Sequence, residues 1–148
     1  MPTLLVVHHT TSPATQELLE AALRGTKADG LEGVDVLVRP ALGATVSDVL
    51  AADGFLLGTP ANIGYMSGAL KTFFDSVYYP TLTAKVGAPY GLYVHGNNDT
   101  VGAARAVESI AKGMGWERVH EPVTVIGAPE KAALEAVWDL AATVSASL

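Results

Sequence analysis

The sequence contains no cysteine in its 148 residues. This absence excludes disulfides, thiolate catalysis, thiolate zinc sites and thiolate-ligated iron–sulfur clusters. Charged residues are also scarce, at 16%, against about a quarter in typical soluble domains. Lys and Arg form no block, and the formal net charge is −6. This charge balance argues against binding to nucleic acid or to an anionic membrane surface.

A long apolar run is missing as well. The longest run near the start is Leu4–Val7, which is far too short for a signal peptide or a membrane span, and no basic region accompanies it. We therefore expect a cytoplasmic protein without a membrane span. Hydrophobic residues make up 49% of the chain, enough for a substantial core, and the length predicts one domain over residues 1–148.

Short apolar runs alternate with helical patterns along the chain. The predicted strands are residues 3–9, 34–38, 55–57, 90–94 and 123–126. The predicted helices are residues 12–25, 45–50, 67–79 and 101–114, and a last one that starts near Pro129. Pro80 is expected to stop the third helix. This alternation predicts an α/β three-layer sandwich, with a five-stranded parallel sheet between two layers of helices.

Three connections between strands and helices are rich in Gly, Pro, Asn, Ser and Thr. They are loop 1 (residues 9–15), loop 3 (residues 59–66) and loop 4 (residues 95–101). In a parallel sheet these connections meet at the carboxyl edge, where open α/β folds bind ligands. We therefore expect a crevice there. The two remaining connections, residues 40–44 and 127–129, are shorter and are expected to contribute less.

Loop 1 offers hydroxyl groups and the amides of a helix start. Its hydroxyls belong to Thr10, Thr11, Ser12 and Thr15, and Ser12-Pro13 is a strong signal for a helix N-terminus. Such a loop could hold an anion through neutral donors, because it contains no Lys or Arg. It could equally be an ordinary capped helix start, and its residues alone leave both interpretations open.

Loop 3 combines backbone-directing residues with apolar side chains. Pro60 restricts the backbone, and Gly64 permits a positive φ or a close approach. Ile63 and Tyr65 flank that glycine in a segment that should face solvent. This layout suits a flat aromatic ligand, although a plain connector with one or two buried apolar residues would also explain it.

Other signals for chemistry are weak. The spacing Gly64-x-x-x-Gly68-x-x-Lys71 does not match a Walker A loop, and no Gly-x-Gly-x-x-Gly follows the first strand. His8 and His9 point to opposite faces of a strand, so no metal site is predicted. His95 opens loop 4 and is the best-placed histidine to hydrogen-bond a ligand.

The segment from Gly58-Thr59-Pro60 through Gly64-Tyr65-Met66-Ser67-Gly68-Ala69-Leu70-Lys71 to Phe73-Phe74-Asp75 resembles the flavin-binding loop of the flavodoxin-like superfamily. The similarity is greatest to its NAD(P)H-dependent FMN reductase and quinone reductase branch. Loop 1 is similar to the phosphate loop of that superfamily. The resemblance implies FMN bound without covalent attachment, and a sheet with strand order 2-1-3-4-5.

The resemblance also implies which residues hold the flavin. The phosphate would be held by Thr10, Ser12, Ala14 and Thr15. The isoalloxazine would be lined by Pro60, Ala61, Asn62, Ile63 and Gly64. His95, Gly96 and Asn97 would approach the flavin from loop 4. Loop 1 departs from the family pattern at Thr11 and Pro13, and since proline removes an amide donor we expect phosphate to be held less tightly.

The function implied is that of an NAD(P)H-dependent oxidoreductase. NAD(P)H would be the co-substrate, and hydride would pass through flavin N5 to a quinone or another small acceptor. No side chain is identified as catalytic. One alternative is a one-electron carrier that docks on a redox partner protein, and another is a non-catalytic domain that has lost flavin. In this family the region of Tyr78-Tyr79-Pro80 often meets a neighbouring subunit, which allows a homodimer.

Overall fold

The computed structural model describes residues 1–148, with a parallel sheet as its middle layer. Its strands are β1 (Thr3–His8), β2 (Asp35–Pro40), β3 (Gly54–Asn62), β4 (Tyr65–Met66), β5 (Pro89–Gly96), β6 (Glu117–Arg118) and β7 (Val123–Ile126). Its α-helices are α1 (Pro13–Gly25), α2 (Val46–Ala51), α3 (Gly68–Thr81), α4 (Val101–Gly113) and α5 (Lys131–Ala146). A short 3-10 turn, Ala41–Gly43, links β2 to α2.

The order of the strands confirms the expected topology. Parallel pairing runs β2-β1-β3-β5, and the last position in the sheet is shared by two short strands. β6 pairs with the start of β5 at Pro89 and Tyr90, whereas β7 pairs with its end from Tyr93 to Gly96. The predicted fifth strand, residues 123–126, is β7, and β6 is an additional short strand that the sequence pattern did not predict.

Each face of the sheet carries its own apolar cluster. Alternate residues of β1 divide between the clusters, because successive strand side chains point to opposite faces. Leu5 and Val7 pack on the side of α2, α3 and α4, whereas Leu4 and Val6 pack on the side of α1 and α5. Both clusters are buried, which gives the predicted three layers. No helix combines the length and the apolar character that crossing a membrane requires.

β3 extends further than the sequence pattern predicts. Only residues 55–57 were expected in this strand, but it runs on through loop 3 to Asn62 and then turns back as β4. Ala61 pairs with Met66 and Asn62 with Tyr65, in antiparallel fashion. The pattern of apolar residues could not predict this pairing, because the pairing depends on the turn at Ile63-Gly64.

Pro80 does not stop α3, so that prediction is wrong. The helix continues through Pro80 and ends at Thr81. Proline lacks an N–H and therefore removes one helical hydrogen bond. Because Pro80 is the penultimate residue of α3, only the last turn loses a bond. The Thr81 hydroxyl donates to the Val77 carbonyl at 2.7 Å, which adds a side-chain bond to the same turn.

Candidate functional site

Loop 1 is closed by a network of hydrogen bonds around Thr15. Ser12 is the N-cap of α1, and its hydroxyl accepts from the Thr15 amide at 3.2 Å. The buried Thr15 hydroxyl accepts from the amides of Thr11 and Ser12, both at 3.0 Å, and donates to the Ser12 carbonyl. The Thr10 hydroxyl lies 2.8 Å from His8 Nδ1. Two of the predicted phosphate ligands, Thr10 and Thr15, are thus engaged inside the protein.

Loop 3 is a rigid hairpin with a left-handed tip. Ile63 has φ +50° and Gly64 has φ +72°, the combination that two-residue hairpin turns with matching twist require. The Thr59 hydroxyl accepts from the Ser67 amide at 3.1 Å, and the Ser67 hydroxyl accepts from the Leu70 amide at 3.2 Å. These bonds tie the base of the hairpin to the start of α3.

The first turn of α4 packs directly on the hairpin tip. A Cβ atom at Gly102 would overlap the carbonyl oxygen of Gly64. This close approach places Val101 next to the tip, and both Val101 and Ile63 are exposed, with Tyr65 partly so. An apolar rim therefore lies beside the loop predicted to line an aromatic ring.

Loop 4 is joined to the connection between β7 and α5. His95 is buried, and its Nε2 donates to the carbonyl oxygen of Gly127 at 2.8 Å. The Gly127 amide in turn donates to the Gly96 carbonyl at 2.9 Å. His95 therefore holds two loops together through Nε2, and that nitrogen is occupied within the protein rather than aimed at a ligand.

The loops enclose a cavity of about 450 Å³ at the carboxyl edge of the sheet, within the range of about 300–1,000 Å³ typical of small-molecule sites. Eight predicted flavin residues line it: Ser12, Ala14, Pro60, Ala61, Asn62, His95, Gly96 and Asn97. The other four, Thr10, Thr15, Ile63 and Gly64, are not in its wall. The structure thus brings the three predicted loops together around one cavity.

Six lining residues were not among those that the resemblance assigned to flavin. They are Thr11, Pro13, Glu17, Gly127, Ala128 and Pro129. Glu17 lies one helical turn after Pro13, so the i, i+4 spacing could have indicated it. Residues 127–129 follow the end of a predicted strand at the same sheet edge. Because this connection is short, it was expected to contribute less than the other loops.

The cavity is almost without charge. Glu17 is the one acidic residue in its wall, and no Lys or Arg lines it. Next to loop 1, burial and the neighbouring His9 both lower the pKa of His8, which favours its neutral form. No three His, Asp or Glu side chains come together in an arrangement that could hold a metal ion.

A larger groove of about 640 Å³ runs along α4. It lies between that helix and the segment from β6 to β7, and charged side chains such as Arg105, Glu108 and Arg118 line it. Arg118 is paired there with Glu108 and Glu121, at 2.6 and 3.2 Å. An uncharged aromatic ring fits the smaller cavity better, because Gly, Pro and Asn from three loops form its walls.

Residues 27–128 match the family model described as NADPH-dependent FMN reductase. This match covers more than half of the chain and includes loops 3 and 4. The chain belongs to the NADPH-dependent FMN reductase family. The matched segment includes the hairpin and loop 4, both of which line the cavity.

This chain is also similar in sequence to a flavodoxin. It is 38% identical over 77 residues to a flavodoxin of Aquifex aeolicus, in an alignment that covers 52% of this chain and 40% of that protein. The chain thus matches well under half of the length of this relative.

Three solved structures share the fold. An archaeal flavodoxin has a TM-score of 0.81 at 18% identity, with 98% of this chain and 97% of that one covered. A WrbA-like flavodoxin from Agrobacterium tumefaciens has a TM-score of 0.80 at 19% identity, covering 99% and 97%. Flavodoxin 1 from Bacillus cereus has a TM-score of 0.81 at 18% identity, covering 99% of each chain.

The residues present fit FMN, which is the cofactor of this flavoprotein family. Gly96 allows loop 4 to lie close to the hairpin, since a Cβ atom there would lie 3.3 Å from Ala61 Cβ and 3.2 Å from Thr100 Cγ2. Pro60 to Asn62 and His95 to Asn97 line the side of the cavity where the resemblance puts the isoalloxazine. Ser12 and Ala14 line the end where the resemblance puts the phosphate.

Proposed function

We propose that this chain is an NAD(P)H-dependent oxidoreductase that reduces a quinone or another small acceptor. The observation that carries the proposal is a cavity of about 450 Å³ with one charged residue in its wall and an exposed apolar rim, in a chain of the NADPH-dependent FMN reductase family. FMN would supply the two-electron chemistry, by accepting hydride at N5 and giving electrons and protons to the acceptor. NAD(P)H, a proton and the quinone would thus give NAD(P)⁺ and the hydroquinone.

The chain's own residues would orient the reactants and limit access of water. The hairpin from Ala61 to Met66 would support one edge of the ring, and its closely packed base would hold that support still. His95 would keep loop 4 in place through its bond to the Gly127 carbonyl. Tyr65 and Val101, on the apolar rim, would contact the nicotinamide or the quinone.

Steady-state oxidation of NADPH and NADH with FMN and a benzoquinone tests this proposal. We expect quinone-dependent turnover well above that of free FMN at the same concentration. Rates equal to those of free FMN would contradict the reductase assignment.

Tyr65 offers a more specific test of the rim. Tyr65→Ala should raise KM for the quinone or for NAD(P)H about two- to tenfold, because an aromatic contact contributes about 0.5–1.5 kcal/mol. Tyr65→Phe retains the ring and should leave KM unchanged. Tyr79→Ala removes an exposed tyrosine about three turns along α3 from the hairpin and serves as the matched control.

A one-electron carrier is the second candidate, favoured by the net charge of −6 and by the flavodoxin relative. An acidic surface would suit docking on a basic redox partner. In that case NAD(P)H would not be oxidised directly, but the flavin would be reduced when a separate reductase is added. The same assay with and without such a reductase separates the two functions.

We further propose that residues 1–148 form one FMN-binding domain, supported by a single sheet that carries helices on both faces. One cooperative unfolding transition would agree with this, and two separate transitions would contradict it. A homodimer through the surface around Tyr78 and Tyr79 stays a prediction, which light scattering can test. A cytoplasmic location also stays a prediction.

A further inference from the structure

We propose that this site holds flavin mainly by its ring end, so that riboflavin binds nearly as tightly as FMN, and that Glu17 disfavours the phosphate. The inference rests on the flavin-binding part of the proposed function and not on its NAD(P)H chemistry. It concerns the wall of the cavity formed by Thr11, Ser12, Pro13, Ala14 and Glu17.

The amides that a phosphate would need are turned inward. Thr11 and Ser12 both donate their N–H groups to the Thr15 hydroxyl at 3.0 Å, and the Thr15 amide donates to the Ser12 hydroxyl. The Thr15 hydroxyl uses its own proton on the Ser12 carbonyl at 3.0 Å. Because Thr15 is buried, this network closes the loop without a ligand.

Pro13 removes a further donor from the same wall, since proline has no N–H. The donors that remain there are the Ala14 amide and the hydroxyls of Thr11 and Ser12. All of them are neutral, and no Lys or Arg lines the cavity. A bond from a neutral donor attracts a phosphate less than a bond from Lys or Arg does, because only one of its two partners is charged.

Glu17 adds a repulsive charge to this end. It lies four residues after Pro13 on α1, which puts both residues on the same face of the helix, and both line the cavity. Glu17 takes part in no ion pair, whereas Lys71, Arg118 and Lys131 each pair with a carboxylate elsewhere. Glu17 is exposed, so solvent weakens its repulsion, but no cationic side chain offsets its charge towards a phosphate that is itself dianionic near neutral pH.

The ring end carries no charged side chain, and six of the eight residues assigned to it line the cavity. Its walls are the paired hairpin and loop 4, and both are held by hydrogen bonds that leave the cavity open. Riboflavin shares this ring with FMN and lacks only the phosphate. The difference in affinity between the two flavins therefore isolates what the loop 1 wall contributes.

Fluorescence titrations of the full chain, stripped of any flavin that co-purifies, test the inference with FMN and riboflavin as probes. We expect the two Kd values to agree within about tenfold, because a few bonds from neutral donors are opposed by one carboxylate. A Kd for FMN more than tenfold below that for riboflavin would overturn the inference.

Glu17→Gln tests the repulsion directly. It should tighten FMN binding about two- to fivefold, as expected for an exposed charge, and leave riboflavin unchanged. Glu20→Gln makes the same charge change on α1 outside the cavity wall, where Glu20 accepts a bond from Gln16 at 2.9 Å, and should leave the FMN-to-riboflavin ratio unaltered. Equal effects of the two variants would overturn the role of Glu17.

The salt dependence of binding and the variant Pro13→Ala test the proposal independently. Added salt should favour FMN over riboflavin in the wild-type chain by screening the repulsion, and this response should shrink in Glu17→Gln. Pro13→Ala restores an N–H and should also tighten FMN binding selectively. Weaker FMN binding relative to riboflavin, either on adding salt or in Pro13→Ala, would contradict the proposal.

These results can be told apart from failure of the proposed function. A chain that binds both flavins equally but oxidises no NAD(P)H keeps this inference and loses the reductase assignment. A chain that oxidises NAD(P)H and binds FMN much more tightly than riboflavin keeps the reductase assignment and loses this inference.

Discussion

Ile63 is in a conformation that its side chain disfavours. A β-branched residue at φ +50° is a true outlier, and the left-handed region costs about 1–2 kcal/mol for an ordinary L-residue. The side chain is fully exposed, so no packing offsets this strain. Such strain concentrates at functional sites, and here it lies at the tip of the loop that the resemblance assigns to the flavin ring.

Replacing Ile63 with Asn should therefore stabilise the flavin-free protein. Asn tolerates the left-handed region, and we expect a gain of about 1 kcal/mol, or about 3 °C in Tm for a chain of this size. Thermal unfolding followed by circular dichroism measures it. Ile63→Val keeps the β-branch and should not be stabilised; a Tm for Ile63→Asn at or below that of the wild type would contradict the argument.

His8 makes stability depend on pH. Burial, and secondarily the charge of His9, lower its pKa in the folded state from 6.5. The unfolded chain therefore takes up the proton at a higher pH than the folded chain does. The free energy of unfolding should decrease as the pH falls through 6.5 towards the lowered pKa of the folded state.

Urea unfolding between pH 7.5 and 5 checks this dependence. His8→Asn removes the titrating group and should flatten the profile in that interval. An equally steep profile in the variant would show that other groups cause the slope.

At the scale of elements, the contact between α4 and the hairpin is the one that shapes the site. Ala normally stabilises a helix relative to Gly by about 1 kcal/mol. At Gly102 the added methyl group would overlap the Gly64 carbonyl, so Gly102→Ala should destabilise by about 1–3 kcal/mol and weaken flavin binding. Chemical denaturation and a flavin titration measure the two effects.

Gly68→Ala is the matched control for this substitution. Gly68 begins α3, and a Cβ atom there would meet nothing within 4 Å. We expect unchanged or slightly raised stability. Equal behaviour of the two alanine variants would mean that the helix and the hairpin do not press on each other as described.

Elements were predictable where local pattern determines them. Leu4 to Val7 gave a buried strand, and Ser12-Pro13 gave the start of α1, because both depend on nearby residues alone. The prediction that α3 stops before Pro80 was wrong, because the disruption that a proline causes depends on how much helix follows it. The extension of β3 to Asn62 was missed, because it requires pairing with Tyr65 and Met66 across a turn.

For the whole molecule, flavin binding should appear as stability. A ligand that binds only the folded chain stabilises it by about 2.7 kcal/mol at a hundredfold excess over Kd. We expect FMN and riboflavin to raise Tm by similar amounts when each is added at the same concentration, because similar Kd values give similar stabilisation. Differential scanning calorimetry measures both shifts on the same chain.

Free ribitol phosphate, which carries the phosphate without the ring, is the control ligand. It should raise Tm little at concentrations where the flavins act, because loop 1 is closed by its own hydrogen bonds. A shift as large as that from FMN would place the binding energy at the phosphate end instead.

The sequence by itself determined the α/β class, the strand order implied by its resemblance, and the three loops at one edge, because periodicity and turn residues are local properties. It also pointed to eight residues of the cavity wall. Only the tertiary structure decided that Thr15 turns two amides inward, that Glu17 and residues 127–129 reach the same cavity, and that His95 bonds Gly127. These are contacts between segments or choices among hydrogen-bond partners, and they are settled by packing of the whole chain.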